Sequence, residues 1–342
     1  MSVLRDGNDG PWSSFTLQIG TPPQDVKVFI STAGTQTWVV VPEGCGSSDP
    51  SNCPALRGGE FALNQSSTWV SNLIDPPSNI YDLYVESNLG YTGSGEYGFE
   101  TITLGWQGSD GPSLKNQTIA GTATEEFYLG VFGINPRPSN FTTFDDPVPS
   151  YMENLRDQSL IPSTSWATRQ EIRIVSQKES SKSTIANCTG LGQTLGSLTL
   201  GGYDASKFVP NDISWAFNQR DIRDISIDVS QITITSSNST SSALQTTISL
   251  LIDSTVSHIW LPLESCTEFE KAFNLTCRAP IGSNRFEFYK SSIRSESDKY
   301  STNSNIRRIP VTYITCDNVI NKSIKKNRTI LVGPPGMRST IT

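Results

Sequence analysis

Histidine is almost absent: the 342-residue sequence has one, His258. Catalytic triads that use a histidine base therefore have a single candidate. Most zinc enzymes lose their usual donor for the same reason, and no metal site is expected. Charged residues are scarce too, at 17% of the chain. The net charge is −7 and the pI ≈ 4.9, which argues against a nucleic-acid partner held by phosphate contacts. The GxGxxG and GxxxxGKS/T runs that cradle nucleotide phosphates are missing, so no cofactor is expected. No apolar run approaches the ~18 residues needed to span a membrane.

What the chain does have is turn-forming residues, with 26 Gly and 20 Pro beside 35% hydrophobic residues. That balance points to a mainly β, loop-rich protein, and the length suggests two domains of roughly 150 residues each. Charge is unevenly spread. Residues 278–342 carry 12 Lys+Arg against 4 Asp+Glu, whereas residues 1–277 carry 14 against 29. The change near Cys277 marks a boundary, and 278–342 reads as a basic tail of uncertain fold.

Eight Asn-X-Ser/Thr sequons occur, at Asn64, Asn116, Asn140, Asn187, Asn238, Asn274, Asn321 and Asn327. With six cysteines they favour a secreted or cell-surface glycoprotein with disulfides. Met1-Ser-Val-Leu-Arg-Asp-Gly has no apolar core and is not a signal peptide, so the expectation is a sequence missing its start. The competing reading is a cytosolic protein with unused sequons.

Period-two alternation appears early. Phe15, Leu17 and Ile19 alternate with polar residues, Gly20-Thr21-Pro22-Pro23-Gln24 makes a turn, and Val26, Val28 and Ile30 continue the pattern. This predicts a hairpin of two half-buried strands. Similar short strands are expected at Thr101–Leu104 and Ser197–Leu200. One helix is expected from Pro262 to Phe273, with Phe269, Ala272 and Phe273 on one face. Arg169 to Gln193 is rich in Ser, Lys and Thr and reads as a long surface loop. In the basic tail only Ile309–Ile314 looks strand-like.

Three segments carry a family resemblance. Ile19-Gly-Thr-Pro-Pro-Gln24 is followed by Val28-Phe-Ile-Ser-Thr-Ala-Gly-Thr-Gln-Thr-Trp-Val39. Gly98-Phe-Glu-Thr-Ile-Thr-Leu-Gly105 precedes Tyr128-Leu-Gly-Val-Phe-Gly-Ile-Asn-Pro136. Gly196-Ser-Leu-Thr-Leu-Gly-Gly-Tyr-Asp204 precedes Leu250-Leu-Ile-Asp-Ser-Thr-Val-Ser257. In order and spacing, across residues 10–277, the chain resembles the pepsin-like aspartic peptidases of family A1. The resemblance implies a bilobal fold of two β-barrels with a peptide-binding cleft, here with lobes at 1–160 and 161–277. It also implies a monomer that takes a peptide or protein ligand. Such proteins supply roughly a hundred residues after their second Asp, whereas 89 follow Asp253. The second lobe is therefore expected to be incomplete, with Ile330-Leu-Val-Gly333 the weak counterpart of a late apolar segment.

The departures from the family pattern are chemical. The first catalytic Asp position holds Ser31, in Ser31-Thr32-Ala33; the second keeps Asp253, in Asp253-Ser254-Thr255. The Ser-Thr-Ala run resembles a divergent fungal branch. Peptide hydrolysis in this family uses two carboxylates that share a proton across a water, because like charges so close cannot both ionise. A serine hydroxyl has no useful basicity there, and losing an acid/base partner typically costs ~10²–10⁴-fold. The expectation is a degenerate peptidase that binds rather than cleaves. Its alternatives are an active or weakly active aspartic endopeptidase and a non-functional fragment. Asp253 reads as a buried, satisfied acid kept with the fold more than as a residual catalyst.

Other positions follow from the same resemblance. Thr32 and Ser254 retain the hydroxyls that link the family's two lobes. The flap tyrosine position falls on Asn88 by an ungapped count, or on Tyr91 if the hairpin is shorter; Tyr91 and Tyr97 otherwise pack on a Gly-rich hairpin. Trp38 matches a core position, and His258 reads as structural. A small disulfide is expected between Cys45 and Cys53. A second, between Cys266 and Cys316, competes with Cys277, and Cys188 is left over.

Overall fold

The computed structural model describes residues 5–6, 12–71, 79–83, 92–143, 146–169, 196–207, 214, 216–217, 225–236, 239–255 and 258–273. It also describes short strands at 276–278, 287–289, 306–310, 329–332 and 339–341. Two compact units emerge. One comprises residues 1–171, 193–216 and 253–255; the other comprises 172–192, 217–252 and 256–342.

The first unit is built on six strands: β1 (Phe15–Ile19), β2 (Gln24–Ser31), β3 (Thr37–Val40), β4 (Ser94–Leu104), β5 (Ser113–Thr122) and β6 (Gly130–Gly133). Their order is β1-β2-β6-β3-β5-β4, and β4 returns to pair with β1 through Leu17↔Leu104 and Ile19↔Ile102. The ring is thus a closed barrel, which leaves no free edge among these six.

The expected hairpin is β1 and β2, paired antiparallel from Phe15↔Val28 to Ile19↔Gln24. Its alternation aims Leu17, Ile19, Val26, Val28 and Ile30 into one core with Val39, Phe61, Ile102, Leu114, Ile119 and Phe132. Burying a side chain of this size contributes about 1.5–3 kcal/mol. A second apolar layer, with Trp38, Leu83, Tyr97, Ala120, Phe127 and Val131, covers the outer face of β3, β4, β5 and β6. Strands β3 and β6 therefore lie between two layers, and all four residues of each are buried. Neighbours along them alternate between the layers, Trp38 against Val39 and Val131 against Phe132.

Strand β6 enters between β2 and β3, parallel to β2 and antiparallel to β3. Glycine at both of its ends makes room. A Cβ on Gly130 would lie 2.5 Å from the Trp38 carbonyl, and one on Gly133 2.4 Å from the Gln36 carbonyl. Beyond the barrel, α1 (Tyr151–Asp157) starts with a capping box between Ser150 and Glu153. This arrangement satisfies two amide donors that a helix start otherwise leaves open. The helix sets Tyr151, Met152 and Leu155 into the core.

A strand at Trp166–Arg169 pairs antiparallel with one at Ser197–Leu200. Arg169 is therefore the end of a strand, not the start of the expected loop, and the rest of that loop, through Gln193, lies outside the described residues. The expected disulfide is present between Cys45 and Cys53.

The second unit holds antiparallel pairs Ser226–Val229 with Ile248–Leu251 and His258–Pro262 with Ile306–Pro310. It also holds a four-stranded sheet of Ser239–Ser242, Ile232–Ser236, Thr329–Val332 and Ser339–Ile341, in that order. The expected helix runs Leu263–Phe273. Ser265 and Cys266 are its buried residues, while the Phe269, Ala272 and Phe273 side chains lie outside the described residues. Residues 278–342 were expected to offer one strand. They contribute strands at Glu287–Tyr289, Ile306–Pro310, Thr329–Val332 and Ser339–Ile341. These are three to five residues long, too short for alternation to be read, and two of them, Ile306–Pro310 and Thr329–Val332, pair with strands far away in sequence.

Among the described residues, Arg57 is the largest fully buried polar side chain, 1% exposed. Its guanidinium donates to five carbonyls: Gly44 at 2.6 Å, Thr124 at 2.6 Å, Tyr128 at 2.9 Å, Phe127 at 3.2 Å and Ala123 at 3.5 Å. It also lies 5.9 Å from the centre of the Tyr128 ring. Burial lowers its pKa, but an arginine starts so high that it stays charged. The cation thus ties the disulfide loop to the segment leading into β6. Arg57→Met strands several carbonyls and should cost at least ~2–3 kcal/mol in urea unfolding. Arg57→Lys, with three donors and no planar fork, should recover only part of that loss.

Candidate functional site

Strand β2 ends at Ser31 and β3 begins at Thr37, so residues 32–36 must turn. The strand between them holds the turn in place. Gly133 N–H donates to the Gln36 carbonyl (3.1 Å), Ile134 N–H to Ser31 O (2.9 Å) and Asn135 N–H to Gly34 O (3.0 Å). The turn is buried at its start: Ser31 is 0% and Thr32 2% exposed. The Ser31 hydroxyl oxygen accepts the Gly34 N–H at 2.8 Å. A Cβ on Gly34 would sit 2.9 Å from that oxygen, so glycine is what lets the amide close on the side chain.

Asp253, Ser254 and Thr255 belong to the same compact unit as this turn. Thr32 N–H donates to Ser254 Oγ at 3.1 Å, and Ser254 N–H donates back to Thr32 Oγ1 at 3.1 Å. The Ser254 hydroxyl in turn donates to the Ile30 carbonyl through a short bond. Each hydroxyl oxygen accepts the other residue's amide, so the two segments are held backbone to side chain in both directions. Ser31 and Asp253 are the immediate chain neighbours of this clasp.

The Asp253 carboxylate is used asymmetrically. Its Oδ1 accepts both the Thr255 amide (2.9 Å) and the Thr255 hydroxyl (2.6 Å). Its Oδ2 is buried and has no hydrogen-bond partner among the described residues. The Thr255 hydroxyl thus adds a second donor to the same oxygen. One carboxylate oxygen is thereby fixed by two donors, and the other has none among the described residues.

The turn is braced on its other side by Tyr97, whose hydroxyl donates to Gln36 Oε1 at 2.9 Å. Tyr97 lies on β4, is 4% exposed and meets Tyr81 edge to face at 5.9 Å. Burial pushes its phenol well above the ordinary value, partly offset by the Trp38 indole N–H. The sequence suggested only packing for Tyr97. Its bond to Gln36 had no signal there, because it joins residues 61 apart.

The other expected positions fall as follows. Asn88 and Tyr91, the flap candidates, lie outside the described residues, as do Cys188 and Cys316. Cys277 lies on a strand whose side chains lie outside the described residues, and Cys266 is buried on its helix, its Sγ donating to the Leu261 carbonyl at 3.5 Å. His258 begins a strand and pairs across to Pro310. Asn64 and Asn116 are exposed, Asn116 with φ 58°. Asn140 lies on a strand at Ser139–Thr143, with its side chain not described; Asn238 and Asn274 lie outside the described residues. Among the described residues no cluster of three or more His, Cys, Asp or Glu could hold a metal ion, and no helix is long and apolar enough to cross a membrane.

The model of the eukaryotic aspartyl protease family matches residues 14–323, past the point near Cys277 where the motifs ended. The chain belongs to that family. It is similar to secreted aspartic protease 7 of Candida albicans, 32% identical over 126 residues, which is 35% of this chain and 18% of that protein. It is also similar to the probable aspartic-type endopeptidase OPSB of Arthroderma benhamiae, 32% identical over 120 residues, 34% of this chain and 21% of that protein. The matched region spans about a fifth of the length of these relatives.

Two outcomes follow from the geometry. Thr32→Val removes the acceptor for Ser254 N–H and strands a half-buried amide, so it should cost ~1–2 kcal/mol in denaturant unfolding. Thr32→Ser keeps the hydroxyl and should cost much less. Tyr97 is held neutral by the fold, with its folded pKa above the unfolded value near 10. Its contribution is fully present below that pH and is lost as the pH rises toward the folded value. Stability measured from pH 9 to 11.5 should therefore fall more steeply in the parent protein than in Tyr97→Phe.

Proposed function

We propose that this chain is a catalytically degenerate aspartic peptidase of a divergent fungal-type branch, and that it binds a peptide or protein segment in the cleft its family uses. One observation carries the reading: Ser31 occupies the first catalytic Asp position. Its oxygen already accepts the Gly34 amide, and a hydroxyl cannot take the proton of an attacking water at acidic or neutral pH. Asp253 alone lacks the neighbouring carboxylate that splits the two pKa values of a dyad. The reading keeps the clasp through Thr32 and Ser254 as fold machinery and gives Asp253 Oδ2 the role of ligand acceptor.

A pepsin-like bilobal fold and export through the secretory pathway are parts of the same proposal. The barrel and family membership support the first. The Cys45–Cys53 disulfide, the sequons and the secreted relative named above support the second.

A weakly active endopeptidase is the second reading. The protease names of the relatives and the uncommitted oxygen of Asp253 favour it. Hydrolysis of a denatured protein at acidic pH separates the two. The unmodified protein should match Asp253→Asn at background. Ser31→Asp, whose new carboxylate would meet the Gly34 amide, should raise cleavage by ~10²-fold or more. Robust cleavage by the unmodified protein, abolished by Asp253→Asn, would overturn the proposal.

A further inference from the structure

A small cavity of about 10 Å³ lies behind the turn that follows Ser31. Its polar lining comes from Thr35, Thr37, Gln117, Thr118, Ser139 and Tyr151. Two of these side chains end in buried hydroxyls with no hydrogen-bond partner among the described residues: Thr118 Oγ1 and Tyr151 OH. Tyr151 is 4% exposed, and its ring is fixed edge to face against Phe132 at 4.9 Å. Burial holds its phenol neutral by raising its pKa, so it keeps a proton to donate. Gln117 is already committed at both ends, its Oε1 accepting from Asn154 and its Nε2 donating to the Lys115 carbonyl.

Two stranded hydroxyls at one cavity are costly. A buried polar group normally finds a partner, from protein or from ordered water. The volume suits one water and excludes an organic ligand. No charged side chain lines the cavity, so an ion would find no counter-charge.

We propose that this cavity is a binding site for a single water molecule that joins Tyr151 OH to Thr118 Oγ1. The water serves both hydroxyls, since it can donate twice and accept twice. It lies against Thr35 and Thr37, and so links the turn after Ser31 to α1 and β5. This places a solvent molecule in the support of the turn, apart from any solvent near Asp253. The proposal is independent of whether the protein cleaves peptides.

The test uses full-length protein and two near-isosteric changes, Tyr151→Phe and Thr118→Val. If one water serves both hydroxyls, each change lowers the thermal midpoint by about 2–4 °C. The double variant then loses clearly less than the sum, because the second change removes an already broken bridge. If the hydroxyls are simply dry, removing either one relieves an unsatisfied group. Midpoints that stay level or rise, or that add in the double variant, would overturn the proposal. A crystal structure of the unmodified protein gives a readout that does not depend on the variants folding. A solvent peak within hydrogen-bond distance of both hydroxyls is expected, and a featureless cavity would contradict it.

Discussion

The first unit depends on the close approach of one strand. Gly130–Gly133 slots between Gln24–Ser31 and Thr37–Val40, and its terminal glycines lie where a single methyl would meet a neighbouring carbonyl at 2.4–2.5 Å. With that strand seated, Thr37–Val40 is covered on both faces, and residues 32–36 are left to join it to Gln24–Ser31. The turn carrying Thr32 to Gln36 is then a forced consequence: it must bridge a gap of one strand's width, and the backbone of residues 133–135 ties it in that path. The candidate site is thus the end point of a packing solution.

The same constraint leaves the side chain at position 31 outside the architecture that surrounds it. Position 31 is the last residue of a strand held on both sides, and its carbonyl accepts the Ile134 N–H. The clasp runs through the next residue, Thr32, and through Ser254. Neither the strand nor the clasp needs a carboxylate at 31. The side chain at 31 and the bonds that hold the fold occupy adjacent residues but separate atoms, so a substitution at 31 leaves the clasp atoms in place.

Sequence legibility followed the same divide. The hairpin of residues 15–31 was readable because one face is buried and the other is not, so the period of two survives in the letters. Thr37–Val40 and Gly130–Gly133 are covered on both faces and show no alternation; only motif resemblance drew attention to them. Ser31 and Asp253 stood out because the family resemblance sets particular residue types at those positions. Arg57 was invisible, since nothing in its neighbours distinguishes a buried arginine from a surface one, and its acceptors are main-chain atoms. The strands of residues 278–342 were hidden by brevity and by partners such as Ile232–Ser236, nearly a hundred residues earlier.

Arg57 also sets which mutations the unit can absorb. Its acceptors in residues 123–128 are backbone carbonyls, so the clamp does not read the identity of the side chains it holds. That segment can change its surface chemistry residue by residue while its path stays pinned. The tolerance of a whole loop is concentrated in one position on another element, and a loop so held is free to diverge in what it presents while remaining fixed in where it presents it.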